Sequence, residues 1–223
     1  MKKYLLNPLF SPIFLCIFLA GLFGLVYAFR AMGFVFEMED NLYLESFTYV
    51  FYGIAIASAV SLQQDFWGTA QEKTYKALLF LWFVVLLREM GLQHWLTTHD
   101  TTAIKIRFFT NPNNPIHEKI ISALVIAAVV IVAGWLIFKY TKKIIVGFFK
   151  LNPMYWTICT FGGIGAVSQF CDRFPSNYRK ATGTVIEEPW TTILKLLEEG
   201  GEATLPLLFT IAFVQYHLLK KEK

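Results

Sequence analysis

Charge is scarce in this chain. Asp, Glu, Lys and Arg make up 16% of its 223 residues, against ~25% in a soluble globular domain. With a hydrophobic share of 56% and a mean hydropathy of +0.49, that scarcity excludes an ordinary soluble domain. Cysteine is nearly absent too. Cys16, Cys159 and Cys171 have no CxxC spacing, which excludes a disulfide framework and a paired-thiol redox centre. No internal repeat or low-complexity tract occurs. The formal net charge of +4 does not indicate a nucleic-acid partner, because the basic residues gather at the ends of apolar runs and form no continuous basic face.

What the chain has is long apolar runs of about twenty residues, the length of helix that crosses a ~30 Å hydrocarbon core at ~1.5 Å per residue. The expected fold is all-α: a polytopic transmembrane bundle of about six helices over residues 9–29, 43–62, 75–95, 120–140, 154–171 and 202–219, forming one membrane domain over residues 1–223. The basic start and the small residues Val26 and Ala28 resemble a signal peptide. The run is longer than a usual signal core and five more follow, so the expectation is a retained first helix. Residues 189–199 carry Pro189, suited to a first helical position, and Ile193, Leu196 and Leu197 on one side. They read either as a short interfacial helix anchored by Trp190 or as a direct lead into the sixth span. Gly162, Gly163, Gly165 and Ala166 are small enough to let a neighbouring helix approach the fifth span.

The basic loop KYTKKIIVGFFK and the tail KKEK favour both termini on the cytoplasmic side of a bacterial-type inner or plasma membrane. That orientation sends most of the unusual polar residues to the opposite face. Glu45 starts the second span; Arg88, Glu89, His94, His99 and Asp100 fall at the end of the third. His117 and Glu118 start the fourth, Asp172 and Arg173 end the fifth, and Glu198, Glu199 and Glu202 start the sixth.

Within that layer, Arg88 and Glu89 are the deep members. They sit inside ALLFLWFVVLLREMGLQHWL, a run too short to cross a bilayer without them. A charge at such depth costs roughly 2.5–3.5 kcal/mol on insertion scales and marks a partner, a cavity or a pathway. Arg88 presents a planar donor fork to an anion or to a carboxylate such as Glu45 or Glu202, or it fixes helix packing as one half of an ion pair. Glu198, Glu199 and Glu202 share helical faces, so their mutual repulsion suits proton exchange; acids near a helix start are also an ordinary arrangement. His94, His99 and His117 offer ligands for a divalent metal, without zinc-motif spacing. Ser168 and Asp172 share a face of the fifth span, but no glycine elbow marks a serine nucleophile. Lys105 and Arg107, set among aromatics, suit lipid phosphate at head-group level.

These features lead to three expectations. The first is an integral membrane protein whose outward-facing charged pocket binds a small anionic or lipid-derived ligand or relays protons, with Glu45, Arg88, Glu89, Asp172, Glu199 and Glu202 as its working residues. The second is a membrane-embedded metal-dependent hydrolase or transferase acting on a lipid-linked substrate through the histidines. The third is an accessory subunit of a membrane complex. A paired-histidine phosphatase pattern, a rhomboid-type GxSx arrangement and a transporter-like inverted repeat are all missing from the chain.

Overall fold

The computed structural model describes residues 2–33, 42–91, 97 and 105–222, apart from the side chains of 42–47. The described residues form helices and no strands: α1 (Lys2–Leu5), α2 (Phe10–Ala31), α3 (Leu42–Ser61), α4 (Glu72–Glu89), α5 (Ile106–Thr110), α6 (Ile116–Phe149), α7 (Pro153–Thr182) and α8 (Trp190–Lys220). Three of them, α2, α6 and α8, are long and apolar enough to cross a membrane. The all-helical expectation therefore holds, while a count of six spans exceeds those three.

Several ends differ from the sequence reading for local reasons. The third run was expected to continue to residue 95, but α4 stops at Glu89, and Gly91 turns left-handed at φ 79°, a common helix stop because glycine has no Cβ to clash. Arg88 and Glu89 thus occupy a last turn. α7 begins where the Asn152 side chain accepts the Met154 N–H at 3.1 Å with Pro153 in the first turn, a favourable start on both counts. It runs past residue 171 to Thr182 and ends at Gly183, φ 72°. Residues 190–199 are continuous with the sixth run, making α8 a single helix of 31 residues.

The chain divides into two compact units, Met1–Leu62 with Lys143–Lys223, and Gln63–Lys142. In the first, α8 is the hub, packed against α7, α3, α2 and α1. Its buried positions include Gly200, Gly201, Ala203 and Thr204, and small residues like these let membrane helices approach closely. A Cβ on Gly200 would meet Leu22 at 2.7 Å and Leu19 at 3.1 Å, and one on Gly201 would collide with the Ser168 hydroxyl. The small residues expected to serve this purpose on α7 do less: among the described residues nothing comes within 4 Å of a Cβ on Gly162 or Gly163, and one on Gly165 only reaches Leu205 at 3.8 Å. At the other end of α8, a buried polar network joins four helices. Ser11 Oγ lies 2.5 Å from Thr157 Oγ1, Thr157 donates to Gln215 Oε1 at 2.7 Å, and Gln215 Nε2 donates to the Leu5 carbonyl at 2.8 Å.

In the second unit, Phe66 stacks on Tyr75 at 4.9 Å, and buried Trp82 and Phe108 add bulk to the interior. α6 turns Ile120, Leu124, Ile131, Ile137 and Phe138 outward. An exposed apolar face of that extent belongs in lipid, as expected for a fourth span with no charge before Lys139.

Candidate functional site

The first unit gathers charge where α7 and α8 meet. Lys195, Glu198 and Glu199 lie three and four residues apart, spacings that place side chains on one helical face. Lys195 Nζ is 3.2 Å from Glu198 Oε1 and 3.0 Å from Glu199 Oε1, and all three side chains are half-buried. The charge of Asp172, exposed on α7, acts on Glu198. Half-buried Glu202 follows one turn along α8. Lys195 is thus surrounded by more acids than it can neutralise. At ~1.5 Å per residue, Glu199 stands roughly 32 Å along the helix from Lys220, about one hydrocarbon thickness. That is the distance a cluster at one membrane boundary would keep from Lys220 at the other.

The helix start beside this cluster is also charged. Arg30, in the last turn of α2, reaches Glu188 at 3.6 Å. The Thr192 hydroxyl lies 2.8 and 2.7 Å from the two Glu188 oxygens. That hydroxyl chiefly, with Arg30 assisting, holds the Glu188 carboxyl below the usual carboxylate range by stabilising its charged form.

The second unit holds the pair that dominated the sequence. Arg88 Nη1 lies 4.0 Å from Glu89 Oε1, with the Arg88 side chain half exposed. At that distance and exposure, an ion pair contributes little, ~0–1 kcal/mol. An arginine in the last turn is also favoured by the helix dipole. His117 is exposed in the first turn of α6, and Glu118 beside it is buried. Asn114 is buried as well; its Nδ2 donates to the Phe108 carbonyl at 2.8 Å, while its Oδ1 and the Ser122 hydroxyl are buried with no hydrogen-bond partner among the described residues.

The expected site residues are therefore distributed between the units. Asp172, Glu199 and Glu202 belong to the first and share the α7–α8 region. Arg88, Glu89 and His117 belong to the second. His94, His99 and Asp100, like the Glu45 side chain, lie outside the described residues. Among the described residues no three His, Cys, Asp or Glu side chains gather as they would around a metal ion. Ser168 is buried, donates to the Ile164 carbonyl at 3.0 Å and packs on Gly201, the position of a packing hydroxyl.

Lys195 was missed in the sequence reading although its signal was present: KLLEE places a lysine three and four residues before the two glutamates. Ser11, Thr157 and Gln215 give no such signal, because each is a lone polar residue in an apolar run and they come from distant parts of the chain. Comparison with protein-family models, curated proteins and solved structures finds no match.

Proposed function

We propose that this chain is a multi-pass membrane protein, with about six spans and both termini cytoplasmic, that exchanges protons through the charged layer at the outer end of α7 and α8. The observation that carries this reading is Lys195 held between Glu198 and Glu199, with Asp172 alongside. One ammonium meets two carboxylates, and a third, Asp172, acts on Glu198, so the cluster is net negative and attracts cations over anions. When a proton settles on Glu198 or Glu199, Lys195 keeps the other carboxylate as its partner. Both protonation states thus retain an ion pair at the membrane boundary, where an unpaired charge would be costly. This favours proton relay over the anionic-ligand form of the sequence expectation. Arg88 and Glu89, 4.0 Å apart in the last turn of α4, belong to the other unit and take no part in this exchange.

The test is proton uptake in proteoliposomes loaded with a pH-sensitive dye and given an acid pulse. Wild-type protein is expected to acidify the lumen faster than empty vesicles, and Glu198→Gln/Glu199→Gln is expected to lower that rate at least about tenfold, in line with loss of a positioned acid–base group. Melting curves show whether the variant remains folded. Wild-type vesicles that behave as empty ones, or a folded double variant with the full rate, defeat the proposal.

A further inference from the structure

The uncharged stretch of α6, residues 120–138, is bounded by Lys119 and Lys139, which at ~1.5 Å per residue stand roughly 30 Å apart. This is the thickness of the hydrocarbon core, so Lys139 sits at head-group level. It is half-buried there and held by a directed hydrogen-bond chain. Tyr140 donates its hydroxyl proton to Gln71 Oε1 at 2.6 Å. The 2.7 Å bond between Thr74 Oγ1 and Tyr140 must then be donated by Thr74, which leaves Thr74 Oγ1 to accept from Lys139 Nζ at 2.9 Å. The ammonium also lies 4.5 Å from the centre of the Trp135 ring and 5.2 Å from that of Tyr140.

Hydroxyl and ring contacts position a cation without neutralising it. Among the described residues no carboxylate pairs with Lys139, and two of its three N–H donors have no acceptor there. Lys76 is the contrast within the same unit: it lies 4.8 Å from the centre of the Trp67 ring, but Glu72 answers its charge at 2.6 Å. Exposed Lys142 lies three residues beyond Lys139, on the same side of α6. Trp135 and Phe138 are exposed toward the expected lipid.

We infer that Lys139, oriented by Thr74 and Tyr140 and flanked by Trp135 and Lys142, binds the phosphate of an anionic phospholipid at the membrane interface. The site is independent of the proton-exchange proposal, since its residues lie in the other unit. A free phosphate ion offers the same oxygens, so the test separates the two sources.

Protein purified in mild detergent is mixed with equal amounts of phosphatidylglycerol and phosphatidylcholine and examined by native mass spectrometry, with and without inorganic phosphate. Wild type is expected to retain phosphatidylglycerol about fivefold over phosphatidylcholine, roughly what one interfacial lysine contributes. Lys139→Gln should abolish that preference; Lys139→Arg and Lys76→Gln should keep it. Equal retention of the two lipids by wild type overturns the inference. So does an unchanged preference in Lys139→Gln, or a preference lost equally in Lys76→Gln. Displacement of phosphatidylglycerol by millimolar inorganic phosphate assigns the site to the free ion and overturns the lipid assignment. Matching melting curves for wild type and Lys139→Gln in phosphatidylcholine show that lost selectivity is not lost fold.

Discussion

Gln215 is buried, with its amide oxygen accepting from Thr157 and its amide nitrogen donating to the Leu5 carbonyl. Replacing it with leucine removes a donor and an acceptor together, taking one partner from buried Thr157 and the side-chain donor from the part-buried Leu5 carbonyl. Gln215→Leu is therefore expected to cost about 1–3 kcal/mol, read as a lower midpoint in denaturant or heat. Thr157→Val in that background should add less than it does alone, because the bond it removes is already gone. Glu188 gives a pH-dependent case. Its carboxyl is held below the ordinary range, so it contributes stability that is complete above that range and lost as pH falls through the lowered value. Thr192→Val should move that loss to higher pH, as followed by melting temperature between about pH 3 and 6, the interval in which carboxylates titrate. Lys195 beside Glu198 and Glu199 was overlooked although its spacing carried the signal, because residues three and four apart in a helix meet whatever the fold. Arg88 with Glu89 was legible as an unusual pair, but its place at a helix end depended on where α4 stopped.

At the level of elements, the α7–α8 crossing rests on Gly201 facing Ser168 and Ile164. A methyl group there overlaps the Ser168 hydroxyl, so Gly201→Ala is expected to destabilise by about 1–3 kcal/mol, the usual cost of overpacking. Ser168→Ala removes the obstructing oxygen and should restore much of that loss. A double-mutant cycle measured by thermal unfolding checks this coupling, and additive costs would show that the two side chains do not press on each other. Element existence was well marked in the sequence, since every described run of about twenty apolar residues became helix. The ends were less visible. α6 and α8 outlast their apolar segments because nothing breaks the helix where polarity returns, whereas α4 stops early at Gly91. The glycines with a close neighbour are Gly200 and Gly201 on α8 and Gly147 on α6, which lies against the Tyr155 ring, not those of the glycine-rich stretch of α7, because small residues permit close approach only where a partner arrives.

Taken whole, the molecule has a packed hub around α8 in one unit and an outward apolar face along α6 in the other. The expected topology is checked by single cysteines at Asp100 and Lys142 in a background lacking Cys16, Cys159 and Cys171. A membrane-impermeant thiol reagent added outside should label Asp100→Cys in intact cells and label Lys142→Cys only after lysis; the reverse pattern inverts the protein. The sequence alone determined that the chain is an all-helical membrane protein, where its apolar helices lie, and which polar residues share one helical face. Those conclusions follow from composition and from a period of 3.6 residues per turn, both local properties. Only the tertiary structure decided which polar residues meet across helices. Ser11 and Thr157 are 146 positions apart, and Lys139 reaches Thr74 across 65. Such pairs depend on how each helix is rotated and how far it slides against its neighbour. Rotation and register come from side-chain packing around residues such as Gly200 and Gly201, which a helical period does not encode.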